Sequence, residues 1–246
     1  MPSGRRSWTP PARPRRSAQT ALFNWDHFFG PHDSEAPSFE CWTTLAAWAA
    51  ATSRITLGPL VSCIGYRNPD LLADMARTVD HAAGGRMLLG VGSGFKERDY
   101  VEYGYPFGSV ADRVHDLETG VERIRERLTR LDPPPVGPMP LLIAGSGERR
   151  TLRLVARHAD IWHTFADGDA FVRKSKILDA HCAEIGRDPA QIERSVLVGG
   201  DPEATGPELL AQGITFFIVS VRDLDLEPVR DWVRWRDEHN GRSQRS

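Results

Sequence analysis

Short apolar stretches alternate with longer amphipathic stretches from residue 21 to the end of the chain. The apolar stretches predict strands that are buried on both faces, and the amphipathic stretches predict helices. The predicted strands cover residues 21–25, 55–62, 86–92, 140–144, 161–165, 195–198 and 215–221. The predicted helices cover residues 39–52, 69–81, 110–128, 149–158, 170–185 and 227–239, with a further short helix after Val198.

This alternation gives seven strand–helix units and predicts an α/β fold with a parallel sheet, because parallel neighbours are joined by helical crossovers. The length of 246 residues and the regular repeat favour a (β/α)8 TIM-barrel-like domain over residues 21–246, one unit short of eight. A doubly wound open sheet is the alternative architecture.

Residues 1–20 hold five arginines, four prolines and no acidic residue, so we predict that this basic segment is disordered. The formal net charge of -2 argues against nucleic-acid and membrane partners. The pair Arg5-Arg6 is not followed by the apolar region that an export signal needs. Three scattered cysteines without CxxC spacing favour reduced thiols over disulfides or a zinc site, so we expect a cytoplasmic protein without a metal.

Three predicted strands end in unusual sequences, and the reactive groups of parallel barrels lie at strand ends. The first is Asp26-His27, where a histidine can titrate near neutrality or hydrogen-bond to a bound ring. A capping aspartate beside a surface histidine is the alternative. The second is Gly90-Val91-Gly92-Ser93-Gly94, whose spacing resembles a dinucleotide-binding fingerprint only weakly, because its third glycine is displaced and no helix follows at once. Its glycines would instead let the backbone lie against a flat ring or a phosphate, with a tight turn as the alternative.

The third unusual strand end is Gly145-Ser146-Gly147, between a buried strand and a predicted helix. Such a turn directs backbone N–H groups and a positive helix end at an anion, so we predict phosphate binding, in which Arg149 and Arg150 could assist. Trp162 and His163 end the next strand and could flank the same pocket, although Trp162 could equally be a core residue.

Other chemistry-bearing residues have plainer interpretations. The charged residues Glu97, Asp99 and Glu102 are predicted to be solvated. Cys63 is as well explained by a small buried apolar residue as by a reactive thiol. The sequence contains no HExxH, GxSxG or GxxxxGK[ST] motif, so a zinc protease, a serine hydrolase and a P-loop enzyme have no support.

Several ordered segments over residues 21 to 240 carry a family resemblance. They are Trp25-Asp26-His27-Phe28, Ser53-Arg54-Ile55-Thr56-Leu57-Gly58, Tyr66-Arg67-Asn68-Pro69, the stretch 84–94, Tyr103-Gly104-Tyr105-Pro106-Phe107, Ile143-Ala144-Gly145-Ser146-Gly147, Ala159-Asp160-Ile161-Trp162 and Gly186-Arg187-Asp188-Pro189. Together they resemble the luciferase-like monooxygenase family, in particular its coenzyme F420-dependent oxidoreductase branch.

The resemblance implies a (β/α)8 barrel that binds a flavin or deazaflavin at the carboxyl ends of its strands. It implies that Asp26 and His27 are catalytic residues beside the ring, with His27 stabilising or protonating it. It also implies a non-proline cis peptide behind the ring, within the stretch that binds it. The implied cofactor-binding residues are Leu60, Val61, Ser62 and Cys63 behind the ring, Gly92, Ser93 and Gly94 at its border or phosphate tail, Gly145, Ser146 and Gly147 at the phosphate, and Trp162 and His163 nearby.

The implied function is hydride transfer between F420 and an unidentified small organic substrate, which would enter beneath the loop from Tyr100 to Phe107. Members of the family begin with a strand and a helix before the Trp-Asp-His segment, so the first unit is the one expected to be missing. Phe95 stands where sugar-phosphate-oxidising members carry a glutamate, which disfavours that substrate class. An FMN-dependent monooxygenase and a non-catalytic truncated barrel are the alternatives, and a homodimer through the helix around residues 45–51 is expected.

Overall fold

The structure is a computed structural model that describes residues 20–30, 38–221 and 224–243. The predicted disorder of residues 1–20 therefore lies, apart from Thr20, outside the described residues. The chain divides into two compact units, one ending at Ala144 and the other beginning at Gly145. The prediction of one domain over residues 21–246 stays a prediction, and each unit is described by itself.

Unit 1 contains three parallel pairings between its strands. Strand β1 pairs with β2, and β4 pairs with both β3 and β5. A bridge between Leu57 and Met87 adds a contact between β2 and the residues just before β4. The elements are β1 (Ala21–Asn24), α1 (Cys41–Ala51), β2 (Thr56–Pro59), β3 (Ser62–Cys63), α2 (Pro69–Ala82), β4 (Leu89–Gly92), α3 (Glu97–Glu102), α4 (Val110–Leu128) and β5 (Leu141–Ala144).

Unit 2 continues the alternation of helices and parallel strands, with β6 paired to β7 and β7 to β8. Its elements are α5 (Thr151–His158), β6 (Ile161–Thr164), α6 (Gly168–Glu184), β7 (Glu193–Val198), α7 (Pro202–Ala211), β8 (Phe216–Val219) and α8 (Glu227–Ser243). Within the described residues, no helix is long and apolar enough to cross a membrane.

Local sequence signals explain where the helices begin. Helix α2 starts after Asn68, whose side chain accepts from the Asp70 N–H, and Pro69 occupies the first turn, where its missing N–H costs nothing. Helix α4 begins with a complete capping box between Ser109 and Asp112. The predicted bounds of α4, residues 110–128, agree with the structure, because the cap and the apolar period indicate the same limits.

The predicted strand 55–62 is wrong as a single element. The chain forms β2, leaves it at Pro59 and resumes pairing as β3 at Ser62, with a cis peptide between Leu60 and Val61. The break lets the same stretch pair with β1 and then with β4. The loop predicted around Tyr100 is also wrong at its start, because Glu97–Glu102 forms α3 and buries the Tyr100 ring.

A buried aspartate and a half-buried arginine fix the backbone around β4. The Asp80 carboxylate accepts from the N–H groups of Met87, Val136 and Gly137 at 3.1, 2.8 and 2.9 Å. The Arg86 guanidinium donates to backbone carbonyls at the end of α1, including Ala49 at 3.1 Å. Because buried polar groups need partners, these contacts fix where β4 enters the core.

Candidate active site

Asp26 follows β1 and lies buried in unit 1, with both carboxylate oxygens occupied. Its Oδ2 accepts from the Ser62 hydroxyl at 3.0 Å and from the Cys63 N–H at 2.9 Å. The Arg67 guanidinium donates to both oxygens, with Nη2 3.0 Å from Oδ1. A carboxylate with four donors and a paired cation has no oxygen left for a substrate, so its contacts fix the start of β3 beside the end of β1.

Ser62 is the second member of this buried network. Its hydroxyl donates to Asp26 and accepts from the Trp42 indole N–H and from Arg67, each at 2.9 Å. The exposed fraction of Ser62 is 0%. The cis peptide between Leu60 and Val61 lies immediately before Ser62, within the stretch where the family resemblance implies a non-proline cis bond. Leu60 and Val61 themselves are half-buried.

His27 follows Asp26 but has different partners. Its Nδ1 lies 2.6 Å from Oδ2 of Asp99 in α3, and the Asp99 side chain is fully buried while that of His27 is 23% exposed. Asp99 also accepts from the Tyr66 hydroxyl at 3.0 Å and from the Phe28 N–H at 3.3 Å. The Nε2 atom of His27 hydrogen-bonds to none of the described residues. The imidazole is thus held by one nitrogen and presents the other.

Aromatic side chains surround this histidine. The rings of Phe28 and Tyr103 stack with centroids 3.8 Å apart, and Phe28 also contacts Tyr66 at 5.0 Å. The His27 ring meets the Phe95 ring edge-on at 5.3 Å. Phe95 is 71% exposed. The His27 ring therefore packs against an exposed aromatic ring, while Phe28, the next residue, belongs to a packed aromatic cluster.

Burial keeps the neighbouring hydroxyl and thiol groups protonated. Burial first, and then the nearby Cys63 and Asp99, raise the pKa of Tyr66 far above its ordinary value. Burial raises the pKa of the Cys63 thiol to about 11, against the lowering effect of a hydrogen bond with Tyr100. The Cys63 Sγ lies 3.0 Å from the Tyr100 hydroxyl, which donates to the Ser93 carbonyl at 3.2 Å. The Cys63 thiol is therefore buried and protonated at neutral pH, which favours the small buried apolar residue over the reactive thiol.

The glycines after β4 are explained by protein packing. A Cβ on Gly92 would lie 2.7 Å from Cγ2 of Val61. Gly94 has φ +75°, and a Cβ there would lie 2.2 Å from the Tyr100 hydroxyl oxygen and 2.5 Å from Cys63 Sγ. Side chains of the protein thus occupy the positions that a Cβ on either glycine would need, so packing alone explains both glycines.

In unit 2, the loop Gly145-Ser146-Gly147 joins β5 to the turn before α5. The Gly145 N–H donates to the His163 carbonyl at 3.0 Å, and the Gly145 carbonyl accepts from the Trp162 indole at 2.8 Å. Lys174 donates to the Ser146 carbonyl at 2.8 Å. The backbone N–H groups of residues 146–149 donate to no acceptor in the part of the chain that the structure describes.

Trp162 and His163 are both interior residues of unit 2. Trp162 is 0% exposed and stacks on Phe171, with centroids 5.6 Å apart. His163 is 1% exposed, and its Nδ1 lies 3.0 Å from the Ser195 hydroxyl. Its Nε2 is buried without a hydrogen-bond partner among the described residues. Burial lowers the pKa of His163 to about 4, so this histidine is neutral at pH 7.

The structure brings the predicted residues together in two groups, one in each unit. Unit 1 holds the residues around Asp26, His27, the 60–63 stretch and the 92–94 stretch, and unit 2 holds the loop 145–147 with Trp162 and His163. The sequence analysis missed Asp99, which it placed among solvated charges, and it gave no role to Tyr66 or Arg67. No local signal separates Asp99 from its charged neighbours, because Gly104 and Pro106 interrupt the helical spacing of the aromatic residues that follow.

Comparisons with known proteins identify the fold. An F420-dependent secondary alcohol dehydrogenase, solved with an F420–acetone adduct, matches with a TM-score of 0.66 at 20% identity, over 92% of this chain and 74% of that one. A type II Baeyer–Villiger monooxygenase of Pseudomonas putida, solved with FMN, matches with a TM-score of 0.60 at 16% identity, over 80% of this chain and 62% of that one. These likenesses confirm the TIM-barrel-like α/β fold class.

Sequence comparison identifies the family. An uncharacterized protein of Mycobacterium tuberculosis (strain ATCC 25618 / H37Rv) is 30% identical over 175 residues, which are 64% of this chain and 61% of that protein. The chain thus matches about three fifths of this relative's length. The sequence profile of the luciferase-like monooxygenases matches residues 20–200, well over half of the chain. The chain therefore belongs to the luciferase-like monooxygenase family.

Proposed function

We propose that the protein is an F420-dependent oxidoreductase that transfers a hydride between the deazaflavin and a small organic substrate. The observation that carries the proposal is the presentation of His27 at the end of β1, anchored through Nδ1 and open at Nε2. Parallel barrels place their reactive groups at this end of their strands. The family membership supports a flavin or a deazaflavin as the cofactor, and the likeness to an F420-dependent dehydrogenase is the reason to propose the deazaflavin first.

Within unit 1, His27 is the proposed catalytic residue. Its Nε2 can donate a proton to, or accept a proton from, the reacting atom whose charge changes when the hydride is transferred. The deazaflavin, when bound, would supply the hydride donor or acceptor at C5. Asp26, predicted as catalytic, acts in this proposal as a positioning residue, because Arg67, Ser62 and Cys63 occupy its carboxylate.

Leu60 and Val61 in this proposal provide the half-buried surface behind the ring. Ser62, Cys63 and Gly92 are buried, so in this proposal they support that surface from the protein interior. Ser93 and Gly94 lie beyond β4 and are half-buried, so their backbone is the part of this stretch that could border the ring.

Within unit 2, the loop 145–147 is the proposed phosphate-binding element. A phosphate site needs hydrogen-bond donors that the protein leaves unused. The backbone N–H groups of residues 146–149 are such donors, because they have no protein acceptor among the described residues. They precede the positive end of α5, and Arg149 is exposed beside them. Trp162 supports the loop through the Gly145 carbonyl, so we propose that it positions the loop instead of touching the cofactor.

Titration of the purified protein with F420 and, separately, with FMN tests the proposal. Saturable quenching of F420 fluorescence is expected, with weaker or no binding of FMN. Tight FMN binding without F420 binding would overturn the proposal in favour of an FMN-dependent monooxygenase. Binding of neither cofactor, with no shift of the melting temperature, would support a non-catalytic truncated barrel.

The phosphate loop is tested with a matched pair of charge reversals on exposed arginines. Arg149→Glu should weaken F420 binding about fivefold or more, which corresponds to about 1 kcal/mol. Arg157→Glu makes the same charge change in the last turn of α5, about 9 Å along the helix from its first residue, and should have a smaller effect. Equal effects of the two substitutions would indicate general electrostatic attraction and would count against a phosphate site at the loop.

A further inference from the structure

We infer that Asp99 is a positioning residue that fixes the tautomer of His27, so that Nε2 is the unprotonated nitrogen of the neutral ring. The importance of that tautomer for turnover rests on the proposed function, whereas the tautomer itself is a property of the protein alone. The observation that carries the inference is the arrangement of three groups around one buried carboxylate: Nδ1 of His27, the Tyr66 hydroxyl and the Phe28 N–H.

A carboxylate can only accept hydrogen bonds, so each close neighbour must donate. The Phe28 N–H and the Tyr66 hydroxyl are donors, and the raised pKa of Tyr66 keeps its proton in place. The 2.6 Å contact then requires the proton on Nδ1 of His27. A neutral imidazole carries one proton, so Nε2 is left with a lone pair.

The position of Asp99 explains how it can fix the tautomer of His27. Its side chain is fully buried, so water does not compete for the oxygen that His27 contacts. Asp99 lies on α3, whose neighbouring Tyr100 packs against Tyr66 at 4.9 Å. The carboxylate is therefore attached to a packed element, and it holds the imidazole orientation as well as the tautomer.

Asp99→Asn tests the inference because asparagine keeps the shape of aspartate but replaces one accepting oxygen with a donating NH2 group. The Phe28 N–H can only donate, so the asparagine carbonyl must take its place opposite that group. The amide NH2 then faces the Tyr66 hydroxyl and Nδ1 of His27, which can both accept. His27 should therefore switch to the tautomer with the proton on Nε2, and its outward nitrogen should become a donor.

The measurement is the ring nitrogen spectrum of protein labelled with ¹⁵N-histidine, without cofactor and at alkaline pH, with the His27 signals assigned through His27→Gln. The wild type should show the Nδ1–H tautomer, and Asp99→Asn should show the Nε2–H tautomer. Tyr66→Phe is the matched control: it removes one hydrogen bond to Asp99 but leaves the carboxylate facing Nδ1, so the Nδ1–H tautomer should persist.

The kinetic result separates positioning from structural support. With F420 and an accepted substrate, Asp99→Asn should lower kcat by about 100-fold or more while F420 binding changes little. An Nε2–H tautomer in the wild type, or an unchanged tautomer in folded Asp99→Asn, would overturn the inference. Failure of the wild type to bind F420 would instead overturn the proposed function, and the tautomer result would stand without it.

Discussion

The buried histidine of unit 2 makes the stability of the protein depend on pH. His163 is 1% exposed, contacts Ser195 through Nδ1 and has no partner for Nε2 among the described residues. An imidazolium at this position would have a buried N–H without an acceptor. Replacing His163 with asparagine keeps a polar group near Ser195 and removes the titration.

The size of the effect follows from the two pKa values of this histidine. Burial lowers the pKa of His163 from 6.5 to about 4, while the unfolded chain keeps the ordinary value. Between these values the unfolded state binds more protons than the folded state, so stability rises with pH and is lost as pH falls from about 6.5 to about 4. The complete loss is roughly 3 kcal/mol, and at pH 4.5 it is roughly 2.5 kcal/mol.

The assay is urea unfolding of the wild type and His163→Asn at pH 7.5 and pH 4.5. The wild type should be the more stable protein at pH 7.5, because asparagine leaves space in the core. At pH 4.5 the free energy of unfolding of the wild type should have fallen, relative to that of His163→Asn, by roughly 2.5 kcal/mol. Ser195→Ala is the control, since it loses a hydrogen bond but keeps the buried imidazole and its pH dependence. A difference between wild type and His163→Asn that changes by less than about 0.5 kcal/mol would refute the reasoning.

Three further substitutions test the packing of unit 1, each by urea unfolding at pH 7.5. Asp80→Ala should cost roughly 3 kcal/mol or more, because three N–H groups, two of them buried, lose their acceptor, and a cost below about 1 kcal/mol would contradict this. Gly94→Ala should destabilise by at least about 2 kcal/mol more than Gly104→Ala, since both have positive φ but only Gly94 is enclosed; equal costs would disprove the packing argument. Arg67→Met should cost about 3–5 kcal/mol by leaving the buried Asp26 carboxylate without its cation, whereas a neutral outcome would mean that Asp26 is solvated.

The sequence predicted most elements because their signals are local. A helix such as α4 carries its period and its end within 19 residues and its cap just before them, and each is visible without knowing the fold. The break between β2 and β3 has no such signal. Residues 55–62 form one apolar stretch, and their division depends on pairing with β1 on one side and β4 on the other. Tertiary pairing, rather than local preference, decides that element.

The candidate site shows the same limit more sharply. Asp26 and His27 are adjacent and were predicted to act together, yet their partners lie 41 and 72 residues away and assign them to different tasks. Arg67 neutralises Asp26 within the core, whereas Asp99 anchors His27 and leaves one nitrogen open. A carboxylate in a charged stretch such as Glu97–Glu102 is expected to be solvated unless the fold brings a hydrogen-bond donor from a distant residue to it. Because such a pairing depends on the fold, the local sequence identifies the histidine but not the carboxylate that hydrogen-bonds to it.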